Sequence, residues 1–193
     1  PVPDGAGVAA GQAILDLAHG AGEDDLVIAL LSGGGSALLV SPAEGLTLAD
    51  KQGLSKALLA CGASINEINT LRKHCSAVKG GQLARAVAPA TLMTLVLSDV
   101  IGSPLDVIAS GPTVPDSSTW ADAWALVEKY DLADQLPAAV TARLRAGLAG
   151  DVSDTPKPGD PIFAQTQTLV VADNDLAAQA ALTQAAAQGY NTL

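Results

Sequence analysis

The sequence predicts an α/β fold, with a parallel sheet carrying helices on both faces. Short apolar runs of strand length alternate with longer stretches of helical periodicity. The runs are continuous, as in strands buried on both sides. No hairpin signal joins any two of them, so each connection must cross over through a helix. At 193 residues and 49% hydrophobic content, the chain is long enough to bury a core of its own.

Each element has its own warrant. Residues 6–18 carry Val8, Ile14, Leu15 and Leu17 among alanines and read as a helix. Leu26–Leu31 is an apolar run closed by Ser32-Gly33-Gly34-Gly35-Ser36, the pattern of a buried strand entering a tight turn. Thr47 with Asp50 resembles a capping box and opens a helix to about Ala60. Ser64 with Glu67 is a second box, opening a helix over 66–79. Ile65, Ile68, Leu71, Cys75 and Val78 form its apolar face, and Gly80-Gly81 breaks it.

Thr91–Leu97 is the next strand, with Ser98-Asp99 at its carboxyl edge, and Ser110–Asp116 is a Gly/Pro loop. Helices follow near 119–130 and 137–147. Residues 150–162 hold three prolines, two glycines and three aspartates, so they form a loop or linker. Leu169–Ala172 is a third strand, and Asp175–Gln188 a helix with Gly189 placed to cap it. No internal repeat is visible.

Composition excludes several classes. Ten basic against twenty acidic residues give a net charge of −10. Nucleic-acid binders and binders of anionic membranes carry the opposite sign. No aromatic residue precedes Trp120, so the first half offers no platform for stacking bases. No run approaches the ~20 apolar residues that span a bilayer, and no leader segment opens the chain. Cys61 and Cys75 match no zinc spacing and read as buried thiols in a reducing, cytoplasmic setting.

Three places could carry chemistry. The first is Ser32, Gly33, Gly34, Gly35 and Ser36. Glycines let a ligand approach the backbone, and the amides opening the next helix can hold an anion. The spacing is neither G-x-G-x-x-G nor a P-loop, and a tight turn is the plainer alternative.

The second is the polar face of the helix over 66–79, with Asn69, Arg72, Lys73, Ser76 and Lys79 at helical spacing. From Ile68 to Ser98 there is no acid, yet Arg72, Lys73, Lys79 and Arg85 lie there. A solvated face usually mixes in acids for i,i+4 pairs, so this one suggests an anionic ligand. His74, a lone histidine, is better explained by a structural role than by a site role.

The third is Asp99, at the carboxyl end of a strand, where open α/β sheets place ligands. It could bind Mg²⁺, accept a hydroxyl proton, or cap the next turn. Asp116 is similar but less specific, and Asn174 could cap its helix or touch a ligand. Together these features suit phosphoryl transfer, in which positioning and charge neutralisation do most of the work.

At these residues the sequence resembles the ATP-dependent glycerate kinases of the MOFRL type. The resemblance rests on Pro1-Val2-Pro3-Asp4, Ser32–Leu38, Glu67-Ile68-Asn69 with Arg72-Lys73-His74, and Lys79-Gly80-Gly81. It continues through Leu97-Ser98-Asp99-Val100, Ile108–Thr113 with Asp116, and Thr155–Asp160, so it covers nearly the whole chain in order.

It implies a Rossmann-like domain followed by a smaller MOFRL domain, with the active site between them. It also implies transfer of the γ-phosphate of ATP to D-glycerate with Mg²⁺. Gly33–Ser36 would cradle phosphate or the substrate carboxylate, with Ser32, Asn69, His74 and Asp116 at the substrate and Asn174 at the nucleotide. Arg72, Lys73 and Lys79 would neutralise charge, and Asp99 would act as base or bind the metal.

The partner expected is a small molecule, D-glycerate, with a homodimer left open. Two departures touch local contacts: Ser103 stands where Asp is frequent, and Ala172-Asp173-Asn174 replaces Gly-Ser-Asn. Cys75 replaces a usual Leu.

The chain opens on Pro1 without a methionine and closes on Gly189–Leu193, which reads as the opening of a strand. On this reading residues 1–193 are the core of the first domain. The family's upstream lysine and its MOFRL domain lie outside it. Two other functions stay open at this stage: a non-catalytic anion-binding module and a hydroxypyruvate reductase. The absence of a G-x-G-x-x-G turn disfavours the reductase.

Overall fold

Three parallel strands in the order β1-β2-β3 form the spine of the computed structural model, which describes residues 3–192. They are β1 (Leu26–Leu31), β2 (Thr91–Leu97) and β3 (Thr166–Ala172). Leu26 pairs with Thr91 and Leu92 with Thr166, and the register slips between Val96 and Leu97. Eight helices surround and extend the sheet among the described residues: α1 (Gly5–His19), α2 (Gly35–Leu38), α3 (Leu48–Ala60) and α4 (Ile65–His74), then α5 (Gln82–Val87), α6 (Trp120–Lys129), α7 (Ala138–Ala149) and α8 (Asn174–Ala187).

The core lies in two parts. Helices α3, α4, α6 and α7 pack around Leu54, Leu58, Leu71, Trp120, Val140 and Leu144. Helices α1 and α5 close one sheet face with Ala18, Leu83, Val87 and Leu92.

Strand burial differs from the expectation of fully buried runs. Thr94 and Val96 of β2 are buried, but Leu26, Ile28 and Leu30 of β1 and Leu169 of β3 are exposed. Those residues share the sheet face opposite α1 and α5. A continuous apolar run therefore marks a strand without fixing which of its faces is covered.

Both predicted capping boxes form. Thr47 Oγ1 accepts from the Asp50 amide, and Ser64 Oγ accepts from the Glu67 amide. The second helix stops at His74, five residues short of its predicted end. The reason is tertiary: Ser76 pairs with Pro42 in an antiparallel bridge, and the Ala77 amide donates to the Ser41 carbonyl. Backbone groups that would continue α4 are thus taken by residues 41–43. Ile65 is exposed, whereas Ile68, Leu71, Cys75 and Val78 are buried as expected.

Cys75 is fully buried but Cys61 only half-buried, and both are free thiols. The 150–162 segment is an ordered loop, with Thr155 buried and Asp154 hydrogen-bonded to His74. The strand expected after Gly189 does not form within residues 190–192, and Leu193 lies outside the described residues.

Candidate active site

The carboxyl ends of β1 and β2 carry the first part of the site. After Leu31 the chain turns through Ser32-Gly33-Gly34 into α2, a single helical turn. Asp99 follows β2 and stands against the glycine turn. A Cβ on Gly33 would lie 2.7 Å from Asp99 Oδ2, so only glycine allows this approach. Gly34 has φ 87°, the left-handed conformation that starts the turn.

The Asp99 carboxylate is exposed and accepts no hydrogen bond among the described residues. The adjoining turn is instead closed by Ser98, whose Oγ accepts from the Val100 amide at 3.2 Å. Capping is therefore not what Asp99 does.

Asn174 approaches from β3, its side chain donating to the Asp99 carbonyl at 3.0 Å. It is the first residue of α8 and not its cap; Asp173 caps, accepting from the Leu176 amide at 2.9 Å. Gly33, Asp99, Asp173 and Asn174 line one cavity of about 410 Å³.

The second part of the site lies at the other end of the glycine turn. Ser110 Oγ donates to Asn69 Oδ1 at 3.1 Å. With that hydrogen used, the Ser36 hydroxyl is the donor across the 2.7 Å to Ser110 Oγ. Lys79 donates to the Ser36 carbonyl at 2.9 Å and, more distantly, to the Ala109 carbonyl at 3.4 Å.

Ala109, Ser110 and Gly111 have φ of 51°, 61° and 59°, so two non-glycine residues in succession are left-handed. Such strain persists only where surroundings enforce it, and it clusters at functional sites. Here the enforcement is explicit. The Gly80 and Gly81 amides donate to the Ser110 and Gly111 carbonyls at 2.9 and 2.7 Å.

Arg72 and Lys79 line a cavity of about 450 Å³ together with Ser36, Lys51 and Lys56. Burial pulls the Lys79 ammonium down to about 7, and repulsion from Lys51 and Arg72 adds to it. Burial also pulls Lys51 down, to about 8. A larger cavity of about 630 Å³ lies elsewhere, and Arg85, Arg143, Glu44 and Asp151 are among the residues that line it. It holds neither the glycine turn nor Asp99.

The neighbouring basic residues have different company. Lys73 is buried, 3.2 Å from Asp116 Oδ1 and 3.9 Å from Asp106 Oδ2. Burial tends to raise the Asp116 carboxyl, but Lys73 and hydrogen bonds from Ser118 and Thr155 outweigh it and hold it below the usual range. His74 is fully buried; Nδ1 meets the Thr70 carbonyl at 2.8 Å and Nε2 meets Asp154 Oδ1 at 3.0 Å. Lys73, His74 and Asp116 are thus committed to protein partners. They do not share an open face with Arg72 and Lys79.

Two site residues escape the sequence reading. Ser110 sits in a segment legible as a loop, but nothing in that pattern says its hydroxyl joins Ser36 to Asn69. Lys51 did carry a signal: it falls on the same helical stripe as Leu54 and Leu58, where a lysine is out of place.

A strand-end carboxylate, a glycine turn and a cation-lined cleft define a ligand site of the kind that anion-handling α/β enzymes build. Residues 1–145 match the family described as Domain of unknown function (DUF4147), and the chain belongs to that family.

A protein of Agrobacterium vitis with the provisional name of a hydroxypyruvate reductase is 51% identical over 83% of this chain and 35% of its own length. A Pyrococcus horikoshii protein named glycerate 2-kinase is 40% identical over 98% of this chain and 42% of its own. The crystal structure of glycerate kinase from Thermotoga maritima superimposes with a TM-score of 0.85 at 41% identity, covering 99% of this chain and 43% of that one. The chain therefore spans less than half the length of these relatives.

Proposed function

We propose that the protein is a kinase that transfers the γ-phosphoryl group of ATP to a hydroxyl of D-glycerate, releasing 2-phosphoglycerate and ADP. The observation that carries the reading is the open Asp99 carboxylate pressed against Gly33, with a cation-lined cleft at the other end of the same turn. Kinship with proteins named glycerate kinase supplies the substrate.

In this reading Asp99 orients the acceptor hydroxyl and takes its proton as the new P–O bond forms. Gly33–Ser36 lets the phosphates approach the backbone. Arg72 and Lys79 offset the negative charge gathered at the transferring group. Asn69, Ser110 and Ser36 hold that turn in place.

Mg²⁺ fits the donor set modestly. No group of three metal-ligating side chains occurs among the described residues, and Mg²⁺ beside a nucleotide needs only one or two carboxylates besides phosphate oxygens and water. Asp99 would supply that carboxylate, and the ion would add charge neutralisation. Two free cysteines support a cytoplasmic setting. No helix of the described residues is long and apolar enough to cross a membrane.

The test is ADP release from MgATP with each enantiomer of glycerate, using the protein from its full reading frame. Release with D-glycerate is expected. No release with either enantiomer sinks the reading. The Agrobacterium vitis name keeps one competitor in play, and hydroxypyruvate-dependent NADH consumption would favour it.

A further inference from the structure

Lys51 is the buried charge that the reading above leaves unused. It is 5% exposed, and its Nζ donates to the Cys75 carbonyl at 3.1 Å and the Arg72 carbonyl at 3.5 Å. Lys79 is 3% exposed and likewise has only two carbonyls, those of Ser36 and Ala109. An ammonium has three N–H donors, so each amine keeps one without a protein acceptor. Among the described residues neither has an Asp or Glu within salt-bridge distance.

Both side chains line the same cavity of about 450 Å³, which also holds Arg72 and Lys56 and no carboxylate. In a chain of net charge −10, a cavity with four cations and no acid is a deliberate concentration of charge. Buried ammonium groups are costly unless an opposite charge answers them, and here the protein provides none. The volume suits a small organic anion.

We propose that this cavity is a subsite for the terminal oxyanion of a small acid or phosphate ester, a carboxylate or a phosphoryl group, held by Lys51 together with Lys79 and Arg72. The proposal deepens the kinase reading and rests on it for the choice of probes. Lys51 becomes a ligand-binding residue on α3, while Lys73, next to Arg72 in sequence, stays with its own carboxylates. An arriving oxyanion supplies the missing acceptors and favours the charged form of both amines, which burial alone disfavours.

The test is calorimetric titration of the protein from its full reading frame with inorganic phosphate, D-glycerate and ADP. Wild type, Lys51→Met and Lys51→Arg are compared. In Lys51→Met at least one probe should lose about tenfold to a hundredfold in affinity, with part regained in Lys51→Arg. Loss confined to glycerate assigns the carboxylate. Loss shared by phosphate and ADP assigns the phosphoryl group. Unchanged affinity for all three in a folded Lys51→Met protein overturns the subsite, as does failure of all three to bind wild type.

If Lys51→Met does not fold, amine acetylation of the wild type read by mass spectrometry takes its place. One of the three probes should then protect Lys51, and a labelling rate unmoved by any of them overturns the proposal. ADP release with normal KM values in Lys51→Met would sink the subsite and leave the kinase standing. Lys51-dependent binding without ADP release would do the reverse.

Discussion

Lys73 and Lys79 are six residues apart, both buried, and answered in opposite ways. Lys73 sits on Asp116, and the same carboxylate takes hydrogen bonds from Ser118 and Thr155. Its charge is balanced inside the protein. Lys79, with Lys51 beside it, meets only carbonyl dipoles. The difference separates two uses of a buried cation. A paired one fixes the fold, tying α4 to the loops at 116 and 155. An unpaired one is a stored demand for an anion.

The largest expected effect comes from breaking the balanced side. Asp116→Ala leaves Lys73 buried without its nearest carboxylate and should cost ~3–5 kcal/mol of stability by denaturant unfolding. Lys51→Met removes a charge that has no countercharge, so the ligand-free protein should be as stable as wild type or more so. Equal destabilisation by both substitutions would erase the distinction.

Next is the pH dependence of the unbalanced side. Burial lowers Lys51 to about 8 and Lys79 to about 7, from an ordinary 10.5. Between those values and 10.5 the unfolded chain binds more protons, so these two groups make stability rise with pH over that window. Burial also lowers the neighbouring Arg72 and Arg143 guanidiniums and raises the Cys75 thiol, so the comparison with Lys51→Met, which keeps all three, isolates the lysine. The melting midpoint of wild type should therefore gain on that of Lys51→Met from pH 7 to 9. Stabilisation by added phosphate should shrink over the same range. A midpoint difference that stays flat would place the Lys51 proton elsewhere.

Gly33→Ala probes the Asp99 end of the turn. The new methyl would displace the exposed carboxylate, so kcat/KM should fall about tenfold to a hundredfold. The melting midpoint should barely move, because only the end of an exposed side chain must shift. The smallest effect on activity is expected at Ser110. Ser110→Ala leaves the buried Asn69 carbonyl oxygen without its donor and should cost ~1–3 kcal/mol, with a modest fall in activity. A Ser110 variant with intact stability and lost activity would give the hydroxyl a direct role with substrate.

Much of the fold was legible because local signals and tertiary structure agree. The capping boxes at Thr47 and Ser64 place helix starts, since the residues that satisfy those amides are sequence neighbours. The apolar runs at Leu26–Leu31 and Thr91–Leu97 match β1 and β2 at both ends. The helix end at His74 was not legible, because the competitor for its backbone is residues 41–43, over thirty positions away. Asn174 was read as cap or ligand contact. Asp173, one residue earlier, caps instead, and boundaries are where local patterns discriminate least.

The sequence by itself determined the class of fold, the strand-end position of Asp99, the glycine turn and an acid-free stretch rich in cations. Those depend on composition and on spacing within one element. Only the tertiary structure decided which cations are free to meet a ligand. Arg72, Lys73, His74 and Lys79 look alike along the chain. Lys73 and His74 meet Asp116 and Asp154, which lie 43 and 80 residues away. Lys79, on the turn between α4 and α5, joins Lys51 of α3 in a cavity without acids. Charge balance in a low-dielectric interior is set by whatever lies within a few ångströms, and distance along the chain does not report it.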